Sequence, residues 1–127
     1  MNKVFLHGNL TSDPLARVVD INGKQVTVAN FTVAVNRNFK TSTGEHKKQA
    51  EFISCEIWDS GATLLAQYLK KGSPIIVEGS LRTDKWEKDG QKHFRTFVRV
   101  DRFDFCGGSK DKSNIETEPE DTDKKSF

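Results

Sequence analysis

The chain has 127 residues, of which 35% are hydrophobic and 30% charged, and its formal net charge is +2. This length favours one domain, and no apolar run approaches the roughly 20 residues that a membrane-spanning helix needs. Residues 1–10 lack the long apolar stretch of a secretory signal, so the sequence predicts a cytoplasmic protein.

Positive and negative charges are unevenly distributed along the chain. Residues 1–105 carry 16 Lys and Arg against 12 Asp and Glu, whereas residues 106–127 carry 4 against 6. A basic body with an acidic tail suggests that the body binds a polyanion. We expect residues 1–106 to form the folded domain. Residues 107–127, which begin with two glycines and have few apolar anchors, are expected to form a disordered acidic tail.

The first half of the chain shows the two-residue alternation of β-strands. Residues 3–10 predict one strand, and residues 15–36 predict a hairpin that turns at Asn22-Gly23. Residues 37–50 are polar and show no clean period, which predicts a long loop of the kind that often carries function.

The second half of the chain contains one helical segment between strands. Residues 51–58 predict a strand, followed by a short helix capped by Asp59 or Ser60, with Gly72 near its end. Lys70 and Lys71 are expected in its last turn, where the helix dipole favours cations.

The remaining strands are predicted at residues 73–82 and 94–105, with a hairpin turn at Asp89-Gly90. One helix between the third and fourth of five main strands is the layout of the OB fold, a five-stranded Greek-key barrel. Composition and element order alone leave this all-β fold with one short helix as one candidate among several.

Alternation within the stretch AEFISCEIWDS is unusual for a half-exposed strand. One face carries Ile53, Cys55 and Ile57 and is predicted to join the core. The other face carries two large aromatic residues among polar ones: Phe52, Ser54, Glu56 and Trp58.

Motifs for catalysis and for metal or nucleotide binding are absent from the sequence. It contains no phosphate-binding loop, dinucleotide fingerprint, zinc-protease motif or nucleophile elbow. Its three histidines and two cysteines lack the spacing of zinc ligands, and the cysteines are expected to be reduced and structural. We therefore predict a protein that is not an enzyme and has no metal site and no cofactor.

Four aromatic residues lie in polar surroundings and are interleaved with basic residues. The aromatic residues are Phe39, Phe52, Trp58 and Trp86, and the basic candidates are Arg37, Lys40, Lys47, Lys48, Lys71, Arg82 and Lys85. Aromatic rings stack on unpaired bases with about 1–3 kcal/mol per base and little sequence preference. Lys and Arg neutralise phosphates and release counterions. The set favours binding of a single-stranded nucleic acid.

Structural roles remain open for each aromatic residue taken singly. Trp58 can pack on the helix that follows it, and Phe52 can belong to a subunit interface. Phe39 can enter the core, and Trp86 can clasp a hairpin.

Several stretches together resemble the bacterial and phage single-stranded DNA-binding protein family over about residues 2–105. They are NKVFLHGNL, VANFTVAVN, EFISCEIWD and LAQYLKKGSPIIVEGSLRTDKWEKDGQ, together with an acidic tail that ends in Phe127. The resemblance implies an OB fold, a homotetramer, and a role in coating single-stranded DNA during replication, repair and recombination. It places the family's stacking aromatics at Phe39, Phe52, Trp58 and Trp86, and basic contacts at Lys71, Arg82, Lys40 and Lys47.

Two acids depart from the family pattern on the predicted binding face. Glu56 lies between Phe52 and Trp58, and Asp84 lies beside Trp86; both are expected to weaken phosphate attraction locally. In the tail, Lys and Ser residues separate the acidic run from Phe127, the residue expected to dock replication or repair proteins. An adaptor that mainly recruits such proteins and an RNA-binding protein are the alternatives to a coating role.

Overall fold

The computed structural model describes residues 1–105 of the chain. These residues form six strands and one helix. The elements are β1 (Val4–Leu10), β2 (Leu15–Ile21), β3 (Lys24–Lys40), β4 (His46–Trp58), α1 (Ser60–Tyr68), β5 (Pro74–Lys88) and β6 (Gln91–Phe105). Cys106, the last residue of the predicted domain, and the predicted tail over residues 107–127 lie outside the described residues.

The strands close into a barrel in the order β1-β5-β6-β4-β3, and β1 pairs again with β3 to complete the ring. One edge of β3 is shared, since β2 pairs with its first part and β1 with Val33 and Ala34. Five strands thus form the closed barrel, and β2 extends the sheet beside it. This architecture confirms the predicted OB fold.

The core is a cluster of apolar side chains inside the barrel and under the helix. It includes Phe31, Val33, Leu65, Val77 and Val98, all buried. From β4, Cys55 and Ile57 are buried in this cluster and Ile53 packs against it, which confirms the predicted core face.

Two tight turns are confirmed where the sequence predicts them. Asn22 and Asp89 adopt positive φ angles of 53° and 54°, and each is followed by a glycine that also has positive φ. Turns of this kind match the right-handed twist of the strands that they connect. They join β2 to β3 and β5 to β6 in antiparallel pairs.

The predicted long loop over residues 37–50 is wrong. β3 continues to Lys40 and β4 begins at His46, so only residues 41–45 form the connection. Its polar composition reflects a hairpin that projects beyond the core, where most side chains of both strands are exposed. Without a buried face, the two-residue alternation that reveals a strand is lost.

The helix differs from its prediction at both ends. Asp59 is the N-cap residue, but its side chain makes no capping hydrogen bond, and its φ of 63° lies in the left-handed region. The helix ends at Tyr68, so Lys70 and Lys71 lie beyond its last turn. Gly72, with φ of 90°, belongs to the turn into β5, where its N–H donates to the carbonyl of Leu10.

Within residues 1–105, no helix is long and apolar enough to cross a membrane.

Candidate nucleic-acid interface

Three of the four predicted stacking aromatics, together with Arg82, lie on one side of the wall formed by β4, β6 and β5. We call this side, which is turned away from the core, the outer face. The strand register defines it, because Glu56 lies beside Arg99 and Arg82 lies opposite Phe97. Its members are Phe52, Ser54, Glu56 and Trp58 from β4, Ser80, Arg82, Asp84 and Trp86 from β5, and His93, Arg95, Phe97 and Arg99 from β6.

Two aromatic rings on the outer face, Phe52 and Trp86, are open to solvent. Phe52 is 67% exposed and Trp86 is 46% exposed, while Trp58 is half-buried. Trp86 stacks on the His93 ring, with centroids 5.5 Å apart and planes 18° from parallel. One side of the indole is thereby supported by its neighbour on β6. Exposed, supported rings of this kind suit stacking against unpaired bases.

Trp58 is held by two neighbours on the outer face. Its Nε1–H donates a hydrogen bond to Glu56 Oε1 at 2.9 Å. The Arg99 guanidinium lies over the indole, 4.6 Å from the ring centroid. A cation over an indole is attracted by the negative face of the ring. These contacts fix the indole on the sheet.

Phe97 forms an apolar floor between the charged side chains of the outer face. It is only 4% exposed although it points away from the main core cluster. The Arg95 guanidinium covers its ring at 4.3 Å from the centroid, and Arg82 lies opposite it on β5. The arginine stem buries apolar surface while its charged head stays at the boundary with water.

Glu56 has closer partners than its sequence neighbours indicate. The sequence predicts that this acid weakens phosphate attraction locally, which stays a prediction; the residue is only 9% exposed and has two cationic neighbours. Its oxygens lie 3.7 Å from Arg95 Nη2 and 4.0 Å from Arg99 Nη1. Its negative charge is therefore offset within the protein.

Phe39 is separated from the other predicted stacking residues. It lies opposite Lys47 in the β3–β4 ladder, on the same alternation as the core residues Phe31 and Val33. Phe52 belongs to the other alternation, opposite Ala34. The Arg37 guanidinium lies 5.3 Å from the Phe39 ring centroid. Arg37, Phe39 and Lys47 thus form a second group on the projecting hairpin.

The other predicted basic residues are divided between faces. Lys40 and Lys48 lie on the projecting hairpin, on the side that continues the outer face. They pair with His46 and Asn38. Lys85 lies on the reverse side of β5, with its Nζ 5.8 Å from the Phe94 ring centroid.

Lys71 is not on the sheet at all. It lies in the turn between α1 and β5, where its N–H donates to Asp13 Oδ1 at 2.8 Å. The neighbouring Gly72 is bonded to Leu10, whose strand pairs with β3 at Val33 and Ala34. The turn therefore lies near the part of the sheet that holds Phe52.

Arg95 and Arg99 are functional candidates that the sequence analysis missed. They alternate along β6 with Phe97, opposite in phase to the core residues Val98 and Val100. This is the pattern of aromatic and polar residues recognised in β4, so the same test applied to β6 identifies them. The sequence alone does not show that β6 pairs with β4, which is what brings these arginines beside Glu56 and Trp58.

Two open clefts flank the outer face. One, of about 440 Å³, is lined by Trp58, Arg99 and Arg102 beside the start of α1. The other, of about 390 Å³, is lined by Trp86, His93 and Phe94 near the β5–β6 turn. Both clefts place an indole next to a basic or titratable side chain.

The described residues contain no group of three potential metal ligands. Cys55 lies on the core side of β4, and burial raises the pKa of its thiol from 9.0 to about 12. A thiol of this kind stays protonated at neutral pH and is a poor nucleophile.

Comparison with known proteins gives a consistent result. The profile of the single-strand binding protein family matches residues 1–106. A single-stranded DNA-binding protein from Clostridium perfringens is 42% identical over 120 residues, which cover 91% of this chain and 75% of that protein. Single-stranded DNA-binding protein 2 from Streptococcus agalactiae is 49% identical over 102 residues, covering 80% of this chain and 74% of that protein.

Solved structures agree with the family match. A deletion mutant of the single-stranded DNA-binding protein from Thermus aquaticus superposes with a TM-score of 0.74 at 30% identity, covering 85% of this chain and 51% of that one. The Plasmodium falciparum SSB complex with ssDNA superposes with a TM-score of 0.69 at 29% identity, covering 82% of this chain and 91% of that one. With the profile match over residues 1–106, these results show that the chain belongs to the single-strand binding protein family.

Proposed function

We propose that this protein binds single-stranded DNA without base-sequence specificity and has no catalytic activity. The observation that carries the proposal is the outer face, where the rings of Phe52, Trp58 and Trp86 share one surface with Arg82, Arg95 and Arg99. The rings offer stacking surfaces to unpaired bases, and the arginines offer charge to phosphates. The Plasmodium falciparum structure, a complex with ssDNA, supports the choice of polymer.

Duplex DNA is a poor fit for this surface. Its bases are already stacked and paired, so aromatic side chains gain nothing from them without first opening the helix. The only helix in the described residues, α1, contains no Lys or Arg that could contact a DNA groove. Specific readers of duplex DNA commonly place a helix or β-ribbon with base-contacting side chains in the major groove.

Fluorescence titration tests the proposal directly. Oligo-dT is expected to quench the emission of Trp58 and Trp86 at concentrations where a duplex of equal length has no effect. Competition with oligo-U tests the choice of DNA over RNA. Equal affinity for single strands and duplex would refute the proposal, and tighter binding of oligo-U would change the substrate to RNA.

Coating of single strands during replication, repair and recombination is the cellular role that we propose. In that role, the segment 107–127 recruits replication or repair proteins through Phe127. Lys124 and Lys125 of this segment weaken the contact with such proteins if it requires acidic residues just before Phe127. Pulldown with full-length protein, a truncation after Cys106 and a Lys124→Asp/Lys125→Asp form separates the two activities. Truncation should abolish recruitment and retain binding of oligo-dT, while the Asp form should recruit more strongly.

Self-assembly into a homotetramer is part of the same proposal. Val4, Phe5 and Leu6 pair with β5 on one edge, and no strand of residues 1–105 pairs with their other edge. Phe5 is also 69% exposed. An open edge beside an exposed ring is a site where a second copy can add a strand. Sedimentation equilibrium is expected to give the mass of four chains, and a monomer mass at micromolar concentration would contradict it.

A further inference from the structure

Glu56 occupies an unusual position for an acid on a surface that attracts phosphates. Its carboxylate is nearly buried between β3, β4 and β6, where it lies opposite Asn30 and beside Arg99. Its Oε1 accepts the hydrogen bond from Trp58 Nε1. Burial of an ionised carboxylate is unfavourable unless hydrogen bonds and opposite charges compensate it. Here one indole N–H and two guanidinium groups supply that compensation.

The two arginines keep part of their surface in water. The Arg95 side chain is 43% exposed and the Arg99 side chain is 32% exposed, whereas the Glu56 side chain is 12% exposed. The ion-pair distances of 3.7 and 4.0 Å exceed those of a direct charge-assisted hydrogen bond. Each guanidinium therefore retains N–H groups that can donate to a phosphate without leaving Glu56.

The Glu56 contacts determine the geometry of the aromatic surface. Arg99 lies over the Trp58 ring and beside Glu56, so the carboxylate orients both the ring and the cation above it. Arg95 is anchored from below by the Phe97 ring and from the side by Glu56. One acid with two arginines leaves a net positive charge on this part of the face.

We propose that Glu56 is a positioning residue of the binding face, which orients Trp58 for stacking through the hydrogen bond that its carboxylate accepts from the indole N–H. This inference rests on the proposed function. If charge alone decided binding, any acid on this face would only repel DNA. The reach of the Glu56 carboxylate to the indole should matter more for binding than its negative charge.

Two conservative substitutions separate reach from charge. Glu56→Gln removes the charge but keeps an oxygen that can accept the indole N–H. Glu56→Asp keeps the charge but shortens the side chain by one methylene, which breaks the 2.9 Å contact with Trp58. Asp84→Asn is the matched control, because Asp84 is an exposed acid on the same face.

The experiment uses the full chain with Trp86→Phe in every variant. Trp58 is then the only emitting indole, since the chain has two tryptophans. Acrylamide quenching of the free protein measures how accessible the Trp58 indole is to the quencher, which increases when the ring is less firmly held. Anisotropy of labelled oligo-dT measures binding. Thermal melts confirm that each variant is folded.

Positioning predicts opposite results for the two Glu56 variants. Glu56→Asp should increase acrylamide quenching of Trp58 and raise the Kd for oligo-dT about five-fold, the loss expected if one stacked base is weakened by roughly 1 kcal/mol. Glu56→Gln should leave the quenching unchanged and the Kd no higher than that of the parent. Asp84→Asn should tighten binding slightly without changing the Trp58 signal.

The opposite ranking would overturn the inference. If Glu56→Asp quenches and binds like the parent, the contact with the indole does not position it. If Glu56→Gln shows increased quenching and weaker binding than Glu56→Asp, the charge is what matters. If the protein with both tryptophans fails to bind oligo-dT, the proposed function fails, while quenching of the free protein still tests whether Glu56 holds Trp58.

Discussion

Strand β4 passes through two different surroundings, and its two parts carry different kinds of predicted contact. From Phe52 to Trp58 it is a wall of the barrel, with β3 on one side and β6 meeting it at Cys55 and Glu56 on the other. From His46 to Gln49 it pairs with β3 alone, in a hairpin that projects beyond the core. The first part has a buried face that fixes the direction of every second side chain.

This difference separates two aromatic residues that the sequence presents as equivalent. Trp58 has a hydrogen bond, an overlying guanidinium and a rigid backbone beneath it. Phe39 is also half-buried, but its one ring contact among the described residues is with the Arg37 guanidinium, on the projecting hairpin. A ring that is already held in place loses less conformational entropy when a base stacks on it. We therefore expect the barrel part of the site to dominate affinity and the projecting hairpin to add to it.

The largest expected effect contrasts these two rings by alanine substitution. Trp58→Ala should weaken binding of oligo-dT by about 1–3 kcal/mol, the range measured for one base–aromatic stack. Phe39→Ala should weaken it less, because that ring is not preorganised. Anisotropy of labelled oligo-dT measures the Kd in both variants. An equal or larger loss for Phe39→Ala would reverse the ranking of the two regions.

A second prediction compares two faces of one strand through the salt dependence of binding. Arg82 lies on the outer face of β5 and Lys85 on its reverse side. Arg82→Ala should make the slope of log K against log salt shallower by about 0.7, the contribution of one phosphate contact to a single strand. Lys85→Ala, the matched control, should leave the slope unchanged. A change with Lys85→Ala and none with Arg82→Ala would place DNA on the reverse side.

The core side of β4 provides a third test, with an effect on stability rather than binding. Because burial raises the pKa of the Cys55 thiol to about 12, the folded protein keeps this proton when the unfolded chain loses it. The ionisation of Cys55 should therefore leave the free energy of unfolding unchanged below pH 9 and lower it between about pH 9 and 12. The limiting slope is about 1.4 kcal/mol per pH unit.

Thiol labelling checks the same point in a Cys106→Ser background, where Cys55 is the one remaining cysteine. Cys55 should react with a thiol reagent only after denaturant is added. Comparison with a Cys55→Ala variant isolates its share of the pH dependence. Rapid labelling of the native protein at neutral pH would show that this part of the barrel opens readily.

The smallest expected difference is in amide exchange along β4. Amides at Cys55 to Ile57 should exchange slowly, because they lie between two neighbouring strands in the barrel wall. Amides at Lys47 and Lys48 should exchange faster in the hairpin extension. Mass spectrometry of peptic fragments distinguishes these segments, and uniform protection along β4 would remove the contrast.

The sequence was informative wherever a strand has one buried face. The alternation of Ile53, Cys55 and Ile57 against Phe52 and Trp58 predicted both faces of β4. The Asn22-Gly23 and Asp89-Gly90 pairs predicted the turns, because few other residues adopt positive φ without strain.

The sequence was uninformative where contacts come from distant strands. Polar residues 37–50 were interpreted as a loop because neither face of the projecting hairpin is buried. For Glu56 the sequence predicted only a weaker attraction of phosphate, because its arginine partners are about 40 residues away along the chain and come beside it only through the β4–β6 pairing. For the same reason, Arg95 and Arg99 were not recognised as candidates. Local patterns reveal which way a side chain points but not which side chain it meets.

Photocrosslinking tests the central claim, that unpaired bases stack on the outer face, most directly. Oligo-dT that carries 5-iododeoxyuridine at single positions is bound to the protein and irradiated. The crosslinked peptides are then identified by mass spectrometry. Crosslinks to Trp58, Phe52 and Trp86 are expected, with Phe94, an exposed ring on the reverse side of the β5–β6 pair, as the internal control. Crosslinks concentrated at Phe94, with none at Trp58 or Phe52, would contradict the claim that bases stack on the outer face.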